Sequence, residues 1–108
     1  MPTYMVQGNY TSESWNGQVN NPIDRIEIAR AAIASFGGKL VVDYYAFGDY
    51  DFVLIMEMPD NESAAGFVMA IASTGMSRNF KTTHLMTGVE GINALKKAGT
   101  LTYQTPNN

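Results

Sequence analysis

KLVVDYYAFGDYDFVLIMEM, residues 39–58, decides the fold. Two extended runs, 39–47 and 51–58, flank the turn signal Gly48-Asp49, so they read as an antiparallel hairpin. Gly48 is expected to take a positive φ in a tight turn. The second run is apolar at Phe52, Val53, Leu54, Ile55, Met56 and Met58. A strand apolar on both faces is covered on both faces. Alternation in the first run sets Leu40, Val42 and Tyr44 against Val41, Tyr45 and Phe47.

Moving toward the N-terminus, Ile26, Ala29, Ile33 and Phe36 recur every three or four residues and form the apolar stripe of a helix. Asn21-Pro22 marks its start and Gly37-Gly38 its end. Residues 3–9 read as a strand, and the polar stretch Asn9–Asn21, with Trp15 inside it, reads as the longest loop, with room for a helical turn. Toward the C-terminus, Pro59-Asp60 opens a helix over about 61–74, with Ala64, Val68 and Ile71 on one side and Ala65, Met69 and Ala72 beside them; Gly75 stops it. Residues 78–87 form a fourth strand. Thr87 and Glu90 make a capping box for a third helix that carries Ile92, Leu95, Lys96 and Lys97 and ends at Gly99. The order is strand, helix, strand, strand, helix, strand, then a trailing helix. It specifies an α+β, ferredoxin-like βαββαβ sandwich with an antiparallel sheet, strands one and three central, in a single domain over 1–99 with a tail over 100–108.

The 108 residues carry 45% hydrophobic and 16% charged side chains, a balance that excludes a disordered chain. Seven Lys and Arg against ten Asp and Glu give a net charge of −3, and no basic run exceeds Lys96-Lys97, so no nucleic acid partner is expected. Without cysteine the chain has no disulfide, thiol nucleophile or thiolate metal site. No signal peptide is legible and no apolar run approaches the ~18 residues of a membrane span, so a cytoplasmic protein with no membrane partner is the expectation. No nucleotide-binding, phosphate-loop, zinc or catalytic-triad spacing occurs, so no cofactor is expected and none can be named.

Gly48-Asp49-Tyr50-Asp51 resembles the Gly-x-Tyr-Asp signature of the GYD domain family. Pro2-Thr3-Tyr4, Gly8-Asn9-Tyr10-Thr11, Gly37-Gly38-Lys39-Leu40 and the Arg78 to Leu85 strand extend the resemblance over about residues 2–90. The same hairpin, followed by an apolar strand and an acidic helix start, resembles the effector-binding domain of leucine-responsive regulators. The resemblance implies a dimeric α/β barrel whose sheets face each other, in a group that includes cofactor-independent monooxygenases, haem-degrading enzymes, lactone isomerases and amino-acid sensors. It carries over no chemistry, because fold does not fix function.

Candidate site residues are few. Gly48 and Asp49 read as structural turn residues, with a carboxylate-phenol rim as the alternative for the hairpin. Tyr45, Tyr50 and Asp51, with Tyr44, Phe47 and Phe52 around them, are candidates to line a cleft for a flat ligand, or simply pack the sheet. His84, the only histidine, shares a strand face with Phe80, Thr82 and Met86; it is expected to border any pocket and is the one candidate catalytic base or haem ligand. Seven methionines suit an adaptable pocket or an irregular core. The functional expectation is a homodimer, or an oligomer of dimers, that binds or senses a small apolar or aromatic molecule. The alternative is a cofactor-independent enzyme, monooxygenase- or isomerase-like, acting on a flat apolar substrate. Whether any reaction is catalysed the sequence leaves open.

Overall fold

The computed structural model describes residues 1–106. Its elements run β1 (Thr3–Tyr10), α1 (Ser12–Asn20), α2 (Ile26–Ser35), β2 (Lys39–Tyr45), β3 (Phe52–Glu57), α3 (Asn61–Ala72), β4 (Ser77–Leu85) and α4 (Gly88–Ala98). The four strands form one antiparallel sheet in the order β2-β3-β1-β4, so the first and third strands are central as expected. This is the ferredoxin-like α+β architecture, with α2 and α3 over one face.

The core forms where the helix-facing residues of β1 and β3 meet α2 and α3. Tyr4 lies opposite Met56 and Val6 opposite Leu54. These four, with Phe52, Met58, Ile33, Leu40, Ala64 and Phe67, are the buried hydrophobic cluster. Phe67 and Ile33 are its largest fully buried side chains. The stripe expected on α3 holds, since Ala64 lies in the core and Val68 and Ile71 pack against it; Phe67, which that stripe omits, is buried with them, and Met69, set beside it, is 67% exposed. On the opposite face of β3, Val53 and Ile55 are half-buried, and Met5 of β1 pairs with Ile55.

Two irregularities displace side chains from the positions that alternation assigns. A bulge in β2 between Leu40 and Val42 inserts Val41 into the ladder. Beyond it Val42 and Tyr44 pair with Ile55 and Val53, so they point away from the helices, while Asp43 and Tyr45 pair with Leu54 and Phe52 on the helix side. Leu40 thus parts from Val42 and Tyr44. A second register shift falls in β4 opposite Gln7–Asn9, where Asn79 takes a left-handed φ of 57°.

Two further expectations change. The loop expected over Asn9–Asn21 contains the nine-residue helix α1, whose N-cap Thr11 accepts from the Ser14 amide. Asn21 caps its C-terminus, the Asn21 N–H donating to the Gly17 carbonyl, so it is not free to start the next helix. α2 begins instead at Ile26, whose amide donates to Asp24 Oδ1 at 3.0 Å. Gly48 is the other correction, because its φ is not positive. The chain reverses over residues 46–51, closed by the Ala46 N–H donating to the Asp51 carbonyl at 2.7 Å. A loop of that width spreads the reversal over several residues, and none of them needs the left-handed region. The stops at Gly37 and Gly75, with φ of 80° and 74°, and the capping box of Thr87 and Glu90 are as expected.

These backbone differences have opposite consequences for two glycines. Gly37→Val is expected to destabilise by ~1–3 kcal/mol, because a β-branched residue is strained at positive φ. Gly48→Ala, with nothing within 4 Å of an added Cβ, is expected to melt within about 0.5 kcal/mol of the parent. Urea unfolding of both variants checks the contrast.

Candidate functional site

At the end of the sheet where β1 leaves off, the helix layer stands away from the strands. A cavity of ≈ 310 Å³ opens there, between α1, α2 and the helix-facing side of β2 and β3. Tyr10, Tyr45, Phe52 and Phe67 supply ring surface, Ile26 and Ile71 aliphatic surface, and Ser14, Gln18, Asp43 and Arg25 polar groups. A second, shallower groove of ≈ 630 Å³ adjoins it along the β2 edge and shares Gln18, Asp24, Asp43, Tyr44 and Tyr45.

The polar wall comes from α1, which turns a polar face inward. Ser14 and Gln18, four residues apart, are buried one helical turn above each other. The Tyr45 hydroxyl donates to Gln18 Oε1 at 2.6 Å, and Gln18 Nε2 donates to Ser14 Oγ at 3.1 Å. That chain holds the Tyr45 ring against the helix. Tyr10 is the aromatic centre: its ring meets Trp15 edge-on at 5.1 Å and lies 5.1 Å from Phe52 and 6.2 Å from Tyr45. Burial pushes the Tyr10 phenol up to about 12, with Tyr45, Asp43 and Asp51 adding to the rise and Arg25 opposing it. At neutral pH it is therefore a neutral hydrogen-bond donor and no base.

The hairpin that carries the Gly48 to Asp51 signature supports this cavity from behind. Asp51 Oδ2 accepts from the Tyr10 amide at 2.9 Å, and the Asp51 amide donates to the Gly8 carbonyl at 2.9 Å. Asn9 Nδ2 donates to the Asp49 carbonyl at 3.3 Å. The hairpin is thus tied to the last residues of β1, and Asp51 fixes the backbone from which Tyr10 projects. Of the four candidate ligand residues, Tyr45 lines both openings, whereas Tyr50, Asp51 and His84 line neither.

His84 keeps the strand face expected of it, paired with Tyr4 as Thr82 is with Val6. It is nevertheless exposed, because β4 is an edge strand and the helices do not reach that side. Its ring stacks on Tyr4 at 4.9 Å, and the Tyr4 hydroxyl donates to Asn61 Oδ1. The expectation that His84 borders the pocket is corrected on that ground. Among the described residues, no group of three or more His, Asp or Glu could hold a metal ion. No helix there is long and apolar enough to cross a membrane.

The GYD domain model matches residues 4–103. The chain belongs to the GYD domain family. A Thermus thermophilus protein named glutamine synthetase and cystathionine beta-lyase binding protein is 32% identical over 75 residues, covering 69% of this chain and 79% of that one. Among solved structures, MtbAldR superposes with a TM-score of 0.59 at 21% identity, over 80% of this chain and 53% of its own. The transcriptional regulator NMB0573 of Neisseria meningitidis, solved in complex with L-Met, has a TM-score of 0.53 at 11% identity, over 82% of this chain and 51% of its own. This GYD chain spans about half the length of each of these two proteins, and both likenesses bear on the fold alone. They agree with the ferredoxin-like fold that the resemblance at the Gly48 to Asp51 hairpin implies.

Of the residues that line this cleft, the sequence reading singles out Tyr45, with Tyr44 and Phe52 around it, and does not single out Tyr10, Ser14, Gln18, Arg25 or Asp43. Thr11 as a cap and the four-residue spacing of Ser14 and Gln18 were the available signals, but an inward polar face does not register as amphipathic in the usual sense.

Asp51→Ala is expected to cost ~1–3 kcal/mol, read as a lower urea midpoint, since the Tyr10 amide loses its partner. Tyr10 holds its proton more tightly folded than unfolded. Its contribution to stability is therefore complete below pH 10, the ordinary phenol value, and is lost as pH rises through about 12. Tyr10→Phe is expected to flatten that alkaline loss in denaturant midpoints measured from about pH 9 to 11.5.

Proposed function

We propose that this GYD protein is a self-associating binding module that takes a small molecule with an apolar or aromatic body into the cleft beneath α1. The observation that carries it is the cavity of ≈ 310 Å³, lined by the Tyr10, Tyr45 and Phe52 ring cluster and a short polar wall. Ligand sites are typically concave and mostly apolar, with a few convergent polar groups that fix orientation. Here the Tyr10 phenol is a neutral donor, Asp43 an acceptor and Arg25 a cation on the lining. The name of the Thermus relative, a binding protein, supports a binding role over a catalytic one. The alternative, a cofactor-independent enzyme, draws less from the cleft, because His84 does not line it and the buried Tyr10 phenol is a neutral donor at neutral pH.

Self-association rests on the sheet face opposite the helices. Met5, Val42, Val53, Ile55 and Leu85 all point there, with Lys39 and Glu57 paired at one end and Lys81 opposite Gln7 toward the other. A second copy of the same face covers these side chains, and two-fold symmetry makes one patch serve both copies.

Titration with 1-anilinonaphthalene-8-sulfonate, read by its emission, is expected to saturate on the native protein. Tyr10→Ala is expected to weaken binding by about tenfold, ~1.4 kcal/mol, while His84→Ala leaves it unchanged. Equal binding to the parent and to a Tyr10→Ala, Tyr45→Ala double variant overturns the cleft reading. For self-association, sedimentation equilibrium at micromolar concentration is expected to give twice the single-chain mass of 11.8 kDa, and Ile55→Asp to return it to that mass.

A further inference from the structure

α4 packs its length against no other element of its own chain. Val89, Ile92 and Leu95, three residues apart, form one apolar stripe, and they are 72%, 52% and 68% exposed. The helix is well made: Thr87 caps it through the box with Glu90, and Lys96 and Lys97 sit in its last turn. It nonetheless lies along no other element of the described chain. The molecule is accordingly drawn out to 61 Å, with a radius of gyration of 17.7 Å, where a compact chain of this length has about 13 Å. A capped helix with an exposed stripe is an arm, and its apolar side needs a receiver.

One surface of the same chain has the matching character. The shallow groove along the β2 edge is walled by Trp15, Val19, Ile23, Tyr44 and Tyr45. Val19, Ile23, Tyr44 and Tyr45 are 74%, 54%, 64% and 63% exposed. Its two acidic groups, Asp24 and Asp43, form no salt bridge. Lys96 and Lys97 form none either; among the described residues the one ion pair is Arg30–Glu27. Groove and arm are therefore complementary in apolarity and in charge. They start from opposite edges of the sheet, because β4, which leads into α4, is one edge strand and β2 is the other.

We propose that α4 docks into the β2-edge groove of a second copy of this chain, and that the pair exchanges two such arms. The Val89, Ile92 and Leu95 stripe covers Val19, Ile23 and Tyr44 of the receiving copy, and Lys96 and Lys97 meet Asp24 and Asp43. Because this groove shares Gln18, Asp43 and Tyr45 with the ligand cleft, the arriving arm also closes the mouth of that cleft. The proposal rests on the self-association put forward above, and adds which element of one copy reaches which groove of the other.

The chain has no cysteine, so introduced thiols report contacts cleanly. Full-length Leu95→Cys and Tyr44→Cys chains are prepared separately, mixed and oxidised. A covalent heterodimer is expected from that mixture, and none from Leu95→Cys mixed with Lys81→Cys. Lys96→Glu with Lys97→Glu is expected to raise the dimer dissociation constant about tenfold, and Asp24→Lys on the same chain to restore most of it. A dimer that forms normally with Leu95→Asp, or one in which Leu95→Cys couples to itself and not to Tyr44→Cys, overturns the arm while leaving the sheet-face dimer standing. A parent chain that sediments at its single-chain mass overturns both. A dimer that Ile55→Asp leaves intact and Leu95→Asp dissociates overturns the sheet face and upholds the arm.

Discussion

Phe52, Leu54, Met56 and Met58 take one side of β3, and Val53 and Ile55 take the other, because side chains alternate along a strand. One layer of helices covers the first set and forms the core with Tyr4, Val6, Ile33 and Phe67. The second set is left to whatever meets the far side of the sheet. Everything else follows from that two-sided strand: its central place, the antiparallel partners on both edges, and an open face that is apolar in the middle and charged toward its margin at Lys39, Glu57 and Lys81.

The cleft depends on a different balance. Helix α1 sets Ser14 and Gln18 inward, so it cannot collapse onto the sheet as an apolar helix would. Buried polar groups must be paired, and Gln18 finds its partners in Ser14 and Tyr45. The result is a helix held near the sheet at polar points, with room left among rings. Asp51 matters to this arrangement without touching the space, since it holds the main chain at Tyr10. A signature residue can thus act through the backbone it secures, which is why a motif located by sequence need not coincide with the walls of the pocket beside it.

Two apolar surfaces remain without partners in a single chain, the open sheet face and the stripe on α4. They belong to opposite sides of one physical condition. A chain of this size has too few helices to cover both faces of a four-stranded sheet, and its last helix is carried off the edge by β4 instead of back over it. Covering such surfaces by association is the general solution for small sheets with one bare face.

The sequence by itself determined the order of elements, the central position of β3, the helix stops at Gly37 and Gly75, the capping box at Thr87 and Glu90, and the family resemblance carried by the Gly48 to Asp51 hairpin. These are local properties: hydrophobic period, turn residues and caps act within a few positions of each other. Alternation also placed His84 with Thr82 correctly, yet said nothing of its exposure, which depends on how far α3 extends over β4. Only the tertiary structure decided the rest. The bulge at Val41 moved Tyr45 to the helix side and Tyr44 to the open side, because one extra residue reverses every later side chain in a strand. The wide loop over residues 46–51 removed the need for a positive φ at Gly48. The inward polar face of α1 became visible only against the sheet it meets. The cleft is made by residues from β1, α1, α2, β2 and β3 that are distant along the chain, and no local pattern records their meeting.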